Sequence, residues 1–281
     1  MSKSLQVTPS EQIEQVFAGP DHEVGLGEAA LVLARLEYPD LDVQAHLDQF
    51  ALFASEVETK LPDNYEPNRI ISALNSYLFE NLGFRGNQDD YYNPRNSFLN
   101  DVLERRTGIP ITLSIVYLEI ARRLGLPFYG VGLPGHFIIK YDDNRRAIYL
   151  DPFHAGRVVE AEDCRQLVRD ITGPEFVLTE QHFRAVDNRS IVLRMLSNLR
   201  SIYLQTRQYR KVIGVLDMVL NLAPAVAEDY KQRARLHHEL GQSKPAIKDL
   251  ETYLSIRPDA SDEAQVREWI TRMRRGQAAL N

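Results

Sequence analysis

The stretch TGIPITLSIVYLEIARRLGLP, residues 107–127, decides the expected fold. Apolar side chains fall almost all round the helical wheel from Ile111 to Leu124, which is typical of a helix buried on every side. Pro110 suits the first turn of this helix, because its missing N–H has no intrahelical partner to lose there. Gly125 supplies the left-handed conformation that commonly ends a helix. The sequence therefore predicts a central, buried helix.

Three strands are expected after this helix. Phe128–Leu133 is predicted as the first, and Gly135–Tyr141 and Ala147–Phe153 as the next two. The last two flank a polar tetrapeptide with Asp143 and Asn144 at its centre. Both residue types tolerate the left-handed angles of a two-residue hairpin turn. We therefore predict a small antiparallel sheet packed on the central helix.

That turn sets the register of the hairpin. With positions 143 and 144 at its tip, partner numbers sum to 287, which places His136 opposite Asp151. Opposed residues share a sheet face and have Cβ atoms about 4.5–5.5 Å apart. An imidazole beside a carboxylate has a fixed tautomer and a raised basicity, as a general base requires. A structural hydrogen bond at a sheet end explains the same pair, and the spacing leaves both interpretations open.

The first hundred residues are expected to be helical, with a long loop near their end. Apolar residues recur at helical spacing in three segments. The predicted helices are Glu28–Leu36, Val43–Lys60 and Ile70–Leu82. The following stretch, Arg85–Asn96, is polar and turn-rich, and loops of this length are often functional. Tyr92 and Asn96 are binding candidates in this loop, and Asn96 is expected to cap a helix over Ser97–Arg106.

The last third of the chain repeats with a period of 34 residues. Pro224 and Pro258 are separated by this distance, as are Val212 and Ala246, Ile213 and Ile247, Leu216 and Leu250, and Leu220 and Leu254. Two amphipathic helices per 34 residues form the pattern of the tetratricopeptide repeat. The predicted helices are Leu193–Gln205, Arg210–Leu222, Ala227–Leu240, Pro245–Ile256 and a capping helix over Glu263–Arg275. Lys231 and Arg235 are candidate contacts in a groove, although a tail that only stabilises the preceding domain fits equally well.

Charge is unevenly distributed along the 281 residues, whose formal net charge is −6. Residues 1–188 carry 17 basic and 29 acidic side chains, whereas residues 189–281 carry 16 and 10. This change predicts two domains, 1–188 and 189–281. An acidic first domain disfavours nucleic-acid binding, which depends on positive charge to displace counterions. The basic residues of the tail either attract an acidic partner or simply solvate its helices.

Composition excludes several classes of protein. The single cysteine, Cys164, can form no internal disulfide and no thiolate metal cage. The longest apolar stretches fall far short of the roughly 18 residues that span a bilayer. His237 and His238 are adjacent and point apart on a helix, so they lack the histidine spacing of a zinc site. We expect a cytoplasmic protein without a metal, a cofactor or a membrane contact, and the oligomeric state stays open.

Three motifs together resemble a known family. They are NSFLNDVLERRTGIPITLSIVYLEIARRLGLP (residues 96–127), GVGLPGHF (130–137) and YLDPF (149–153). This combination resembles the transglutaminase-like branch of the papain-type superfamily, and more closely the bacterial SirB-type family. That family joins a transglutaminase-like domain to tetratricopeptide repeats. The resemblance implies an α+β fold, with a helical N-terminal region and a central helix on an antiparallel sheet, followed by an all-α repeat tail.

The resemblance also implies a chemistry that this chain has lost in part. The superfamily mechanism uses Cys, His and Asp in that chain order, with the thiolate at the start of the buried helix. His136 and Asp151 match the histidine and the aspartate. Pro110 occupies the place of the cysteine and offers no nucleophile. Ser114, one turn further along, is the remaining candidate nucleophile, although a buried core serine explains it better.

Three functions are therefore carried forward from the sequence. We favour a degenerate transglutaminase-like protein whose retained His136–Asp151 cleft binds a protein or peptide, with Pro110, Asn96 and Tyr92 as candidate binding residues and the repeat tail as an interaction surface. The second is an amide or ester hydrolase, or an acyltransferase, that uses His136 and Asp151 with a nonstandard nucleophile or a water. The third is a structural scaffold without a ligand.

Overall fold

The computed structural model describes residues 7–20, 24–62 and 66–278. Helix α1, Pro9–Val16, opens the described chain. The described residues form two compact units. One lies within Val16–Met195, and the other combines described residues of Met1–Gln15 and Leu196–Asn281. Whether these units correspond to the two domains expected on either side of residue 188 stays a prediction.

The unit Val16–Met195 is an α+β structure, which confirms the predicted fold class. Its helices are α2 (Leu26–Ala34), α3 (Val43–Glu58), α4 (Pro67–Asn75, continued by a π-helical turn over Ser76–Asn81), α5 (Leu99–Arg105), α6 (Pro110–Arg123) and α7 (Ala161–Thr172). A short parallel pair consists of β1 (Arg85–Gly86) and β2 (Thr107–Gly108). The main antiparallel sheet has the order β3 (Phe128–Leu133), β4 (His136–Asp142), β5 (Ala147–Asp151), β6 (Arg157–Val159).

Helix α6 is the predicted central helix, and its residues from Pro110 to Ala121 are all buried. Pro110 is its first residue, and Gly125 follows its end with a φ of +66°. The buried Thr112 caps the helix, because its hydroxyl accepts the Ile109 N–H at 3.1 Å and donates to the carbonyl of Asn96 at 2.8 Å. A polar side chain inside the core thus holds the segment that precedes α5.

A second polar residue of α6, Glu119, caps the neighbouring helix α2. The N-cap of α2 is a glycine, which has no side chain to satisfy the exposed N–H groups of the first turn. Glu119 Oε2 accepts the Gly27 N–H at 3.2 Å, while Oε1 accepts from Arg122 at 2.8 Å and from Arg123 at 3.0 Å. A Cβ on Gly27 would lie 3.0 Å from the Glu119 side chain, so glycine permits this close approach.

The register predicted for the β4–β5 hairpin is wrong. Ile139 pairs with Leu150, and Asp142 pairs with Ala147, so partner numbers sum to 289 instead of 287. The connection has four residues because the Asp143 carboxylate accepts the N–H groups of Arg145 and Arg146, each at 3.0 Å. A shift of two residues leaves every side chain on the same sheet face. His136 and Asp151 therefore share a face, although they are diagonal neighbours and not directly opposed.

Asn96 does not cap α5, contrary to the expectation. The helix begins at Leu99, and its N-cap is Phe98. The Asn96 amide instead turns into the preceding loop, where its Nδ2 donates to the carbonyls of Asp90 at 2.7 Å and Tyr91 at 3.2 Å. The Oδ1 atom, which a cap would need as an acceptor, instead accepts from Asn87 Nδ2 at 3.0 Å and from the Arg105 guanidinium at 3.4 Å.

The other unit contains the predicted helical tail. Its helices are α8 (Asn188–Gln205, which begins in the first unit), α9 (Tyr209–Leu222), α10 (Ala227–Glu239), α11 (Ser243–Ile256) and α12 (Glu263–Ala278). The core between α10, α11 and α12 contains Ala234, Ala246, Leu250, Tyr253 and Ile270. In the described part of the chain, no helix has both the length and the apolar composition needed to cross a membrane.

The capping of α2 by Glu119 predicts opposite effects of one substitution at two glycines. Gly27→Ala forces a Cβ against a carboxylate held by three donors, so we expect the free energy of unfolding to fall by about 1–3 kcal/mol. Gly276→Ala is the control, because the space around Gly276 in α12 is open. That variant is expected to match the wild type or exceed it slightly. Urea unfolding measures both; equal effects would contradict a rigid Glu119.

Candidate functional site

His136 lies at the first position of β4, directly after a tight turn. Leu133 pairs with His136, which leaves Pro134 and Gly135 as the central turn residues. Gly135 has a φ of +70°, which a type II turn requires at this position. A Cβ on Gly135 would also lie 2.5 Å from Ile171, so both conformation and space demand glycine. The turn fixes His136 at the end of the sheet.

The Asp151 carboxylate, at the end of β5, joins two imidazoles. Its Oδ2 is 3.0 Å from His136 Nε2 and 2.8 Å from His154 Nδ1, and its Oδ1 accepts the Phe153 N–H at 3.0 Å. Burial by itself raises the pKa of Asp151, but the hydrogen bonds and charges of the two histidines outweigh it, so the pKa is lowered. Asp151 is therefore an ionised acceptor that orients both rings.

The turn after β5 brings His154 to this carboxylate. Pro152–His154 form a 3-10 turn, followed by Ala155 and Gly156 with φ values of 56° and 69°. The carbonyl of Gly156 accepts from the amide of Asn75 at 2.8 Å, and a Cβ on Gly156 would lie 2.2 Å from that amide. The turn is thus fixed from both ends, by Asp151 and by Asn75.

A line of aromatic rings, here called the aromatic ladder, leads from His136 to the surface. Phe153 lies 6.3 Å from His136 between ring centroids, Tyr91 lies 6.0 Å from Phe153, and Tyr92 lies 5.3 Å from Tyr91. Tyr92 is 71% exposed. Tyr92, one of the two candidate binding residues of the loop, is therefore linked to His136 by a series of ring contacts.

The segment containing Pro110 lies next to this site. Strand β2 pairs with β1, and Gly86 of β1 packs so closely on Phe153 that a Cβ there would lie 2.6 Å from its ring and its carbonyl oxygen. Helix α6, which begins at Pro110, packs against β4 and against the turn Pro152–His154. The buried Pro110 side chain has no group that can attack or donate.

With this geometry in place, comparison with known proteins gives the family. Residues 42–197 match the transglutaminase-like superfamily, and residues 199–271 match the tetratricopeptide repeat. A UPF0162 protein of Xylella fastidiosa is 35% identical over 250 residues, which cover 88% of this chain and 89% of that protein. The chain belongs to the UPF0162 family of transglutaminase-like proteins. The predicted order of a transglutaminase-like domain followed by repeats is thereby confirmed.

Other similar proteins extend the comparison. F-box only protein 21 of Homo sapiens is 31% identical over 185 residues, covering 62% of this chain and 28% of that protein. Among solved structures, the crystal structure of menin, titled as revealing the binding site for the Mixed Lineage Leukemia protein, matches with a TM-score of 0.44 and 10% identity. It covers 90% of this chain and 72% of menin.

Ser114 of this UPF0162 protein lies on α6, inside the protein core. It is fully buried, and its Oγ has no hydrogen-bond partner among the described residues. A nucleophilic serine needs a base within hydrogen-bond reach. Ser114 Oγ makes no hydrogen bond to His136, so no base is in place to activate it. Its role as a nucleophile stays a prediction.

Lys231 and Arg235 border a cavity of about 670 Å³ between α10 and α12, which His238, Trp269 and Arg272 also line. Lys231 is already paired with Asp262 at 2.7 Å. The exposed Arg235 makes no ion pair with any residue that the structure describes. Of the two predicted contact residues, Arg235 is therefore the one whose charge is available to a partner.

Sequence reasoning missed His154 and Arg194. His154 follows Asp151 by three residues, and this local spacing is the signal that could have found it. Arg194, from α8, donates to the carbonyls of Leu133 at 2.6 Å and His136 at 2.7 Å. No sequence pattern links these positions, which are about sixty residues apart.

Cys164 of this transglutaminase-like chain is buried in α7, among apolar side chains that include Leu133 and Ile138. Burial, together with the negative charge of Asp151, raises the pKa of its thiol to about 11. At pH 8 only about one thiol in a thousand is then ionised. We expect a thiol-reactive disulfide reagent at pH 8 to leave the native protein unlabelled and to label it fully in urea. Rapid labelling without denaturant would contradict this environment.

Proposed function

We propose that this protein is an interaction module in which the surface at His136 and Asp151 binds a peptide or protein segment. The observation that carries this proposal is the aromatic ladder, which exposes Tyr92 at the surface and ends at the His136–Asp151 pair. Tyrosine is enriched among residues that dominate binding energy at interfaces, because its ring buries a large area at a low entropic cost.

The loop that presents the ladder is held in one conformation. Asn96 is fully buried, and it ties the carbonyls of Asp90 and Tyr91 through its Nδ2. Its Oδ1 accepts from Asn87 at 3.0 Å. A surface that is ordered before binding loses less entropy when a ligand arrives. We therefore assign Asn96 a positioning role beneath Tyr91 and Tyr92, and no direct contact with the ligand.

The repeat tail supports a second contact surface. Its cavity is bordered by Arg235, His238 and Arg272, which favour an acidic segment of a partner. The proposal places the protein in the cytoplasm, because its one cysteine is buried and unpaired, as is usual in a reducing compartment.

Selection from a random peptide library tests the first surface. We expect immobilised full-length protein to enrich peptides whose affinity falls about tenfold or more on Tyr92→Ala, which removes an exposed ring without touching the core. His136→Gln is expected to weaken the same peptides. Tyr129→Ala is the matched control, since Tyr129 is 45% exposed on β3 outside the ladder. Peptides that bind all variants equally, or no enrichment, would refute the proposal.

A hydrolase is the second candidate, because Asp151 holds His136 as an orienting carboxylate holds a general base. A water would have to replace the missing nucleophile. For this function we expect a panel of nitrophenyl esters to be turned over by the wild type and by Ser114→Ala, whose lost hydroxyl has no partner among the described residues, but not by His136→Gln. Loss of turnover in Ser114→Ala would show that the serine attacks after all.

A further inference from the structure

The two histidines around Asp151 form a donor set with a second possible role. His136 Nε2, Asp151 Oδ2 and His154 Nδ1 all lie within 4.8 Å of one another. Two atoms bound to one metal at about 2.1 Å each lie about 3.4 Å apart at a tetrahedral angle. The distances of 3.0 and 2.8 Å from Asp151 Oδ2 to the two nitrogens differ from that value by about half an ångström. We propose that these three side chains bind a divalent first-row transition metal ion, with Zn²⁺ as the reference ion.

The chemistry of the donors suits such an ion. Two neutral imidazoles and one carboxylate recur in metal sites that keep coordination positions open for water or substrate. The Asp151 charge offsets part of the charge of the ion. The nearby guanidinium of Arg194 is committed to the carbonyls of Leu133 and His136, so it does not occupy the carboxylate.

The scaffold fixes the carboxylate of this donor set. Asp151 Oδ1 is fixed by the Phe153 N–H, which leaves Oδ2 for the ion. Each ring makes its hydrogen bond to Asp151 alone among the described residues. No other hydrogen bond among the described residues therefore prevents His136 Nε2 and His154 Nδ1 from losing their protons and offering lone pairs to the ion. The His154 side chain is 36% exposed, whereas His136 is 7% exposed, so an ion enters from the side of His154.

This inference does not depend on peptide binding, because the metal alone is the probe. Metal-free full-length protein is titrated with Co²⁺, followed by visible absorption, and then with Zn²⁺ in competition. We expect one equivalent to bind with the intense bands of a four- or five-coordinate ion. His154→Gln should weaken binding on the order of 100-fold or more, since even outer partners of a ligand contribute 10–100-fold. His46→Gln is the matched control and should bind as the wild type, because this half-buried histidine of α3 contacts the Asp42 carbonyl and belongs to no such donor set among the described residues.

A measurement without variants covers the case in which His154→Gln misfolds. The chain has seven histidines, and Zn²⁺ should shift the ring resonances of two of them by NMR. Zn²⁺ should also raise the melting temperature of the wild type. Absence of stoichiometric binding, or binding that survives His154→Gln intact, would overturn the site. If the wild-type protein binds the metal but selects no peptide, the result contradicts the proposed function and leaves the metal site intact.

Discussion

The enclosure of α6 on all sides is the constraint on which the rest of the unit Val16–Met195 depends. Two polar side chains of α6 find partners inside the core, where an unsatisfied buried group costs about 1–3 kcal/mol. Thr112 finds the carbonyl of Asn96, and Glu119 finds the N-terminal turn of α2. Thr112 and Glu119 thus fix the neighbours of α6: the loop that carries the aromatic ladder on one side and α2 on the other. Because α6 also packs against β4, it sets where His136 lies.

Asp151 imposes a similar demand at the end of the inner strand β5. A carboxylate that is 1% exposed needs donors for both oxygens, and the nearest ones come from the turn that follows it and from the adjacent strand. The Phe153 N–H, His154 and His136 meet that need. The need of the buried carboxylate for donors therefore places Asp151 between the imidazoles of His136 and His154. General-base orientation and metal binding are both chemical uses of this one arrangement.

The elements that sequence reasoning recovered are those set by local pattern. The central helix begins at Pro110, β3 covers the predicted residues, and the 34-residue period marks the tail helices. The hairpin register failed because Asp143 bonds to two backbone N–H groups and lengthens the turn. The pair survived that error only because a shift of two preserves the sheet face. The contacts of Arg194 could not be predicted, since its partners lie about sixty residues away and are set by tertiary packing that no local spacing encodes.

The proline at position 110 bears on how the two proposals fit together. A thiol at the start of α6 would give His136 a proton to move, whereas a proline leaves the imidazole free to act as a ligand or a hydrogen-bond partner. An ion held by His136, Asp151 and His154 has open positions, and oxygen atoms of a bound segment, such as a carboxylate or a backbone carbonyl, are suitable donors for them. The aromatic ladder would bury the apolar part of the same segment. Metal and peptide would then occupy adjacent parts of one surface, so a peptide that coordinates the ion should bind more weakly to the metal-free protein, whereas one held by Tyr91 and Tyr92 alone should not.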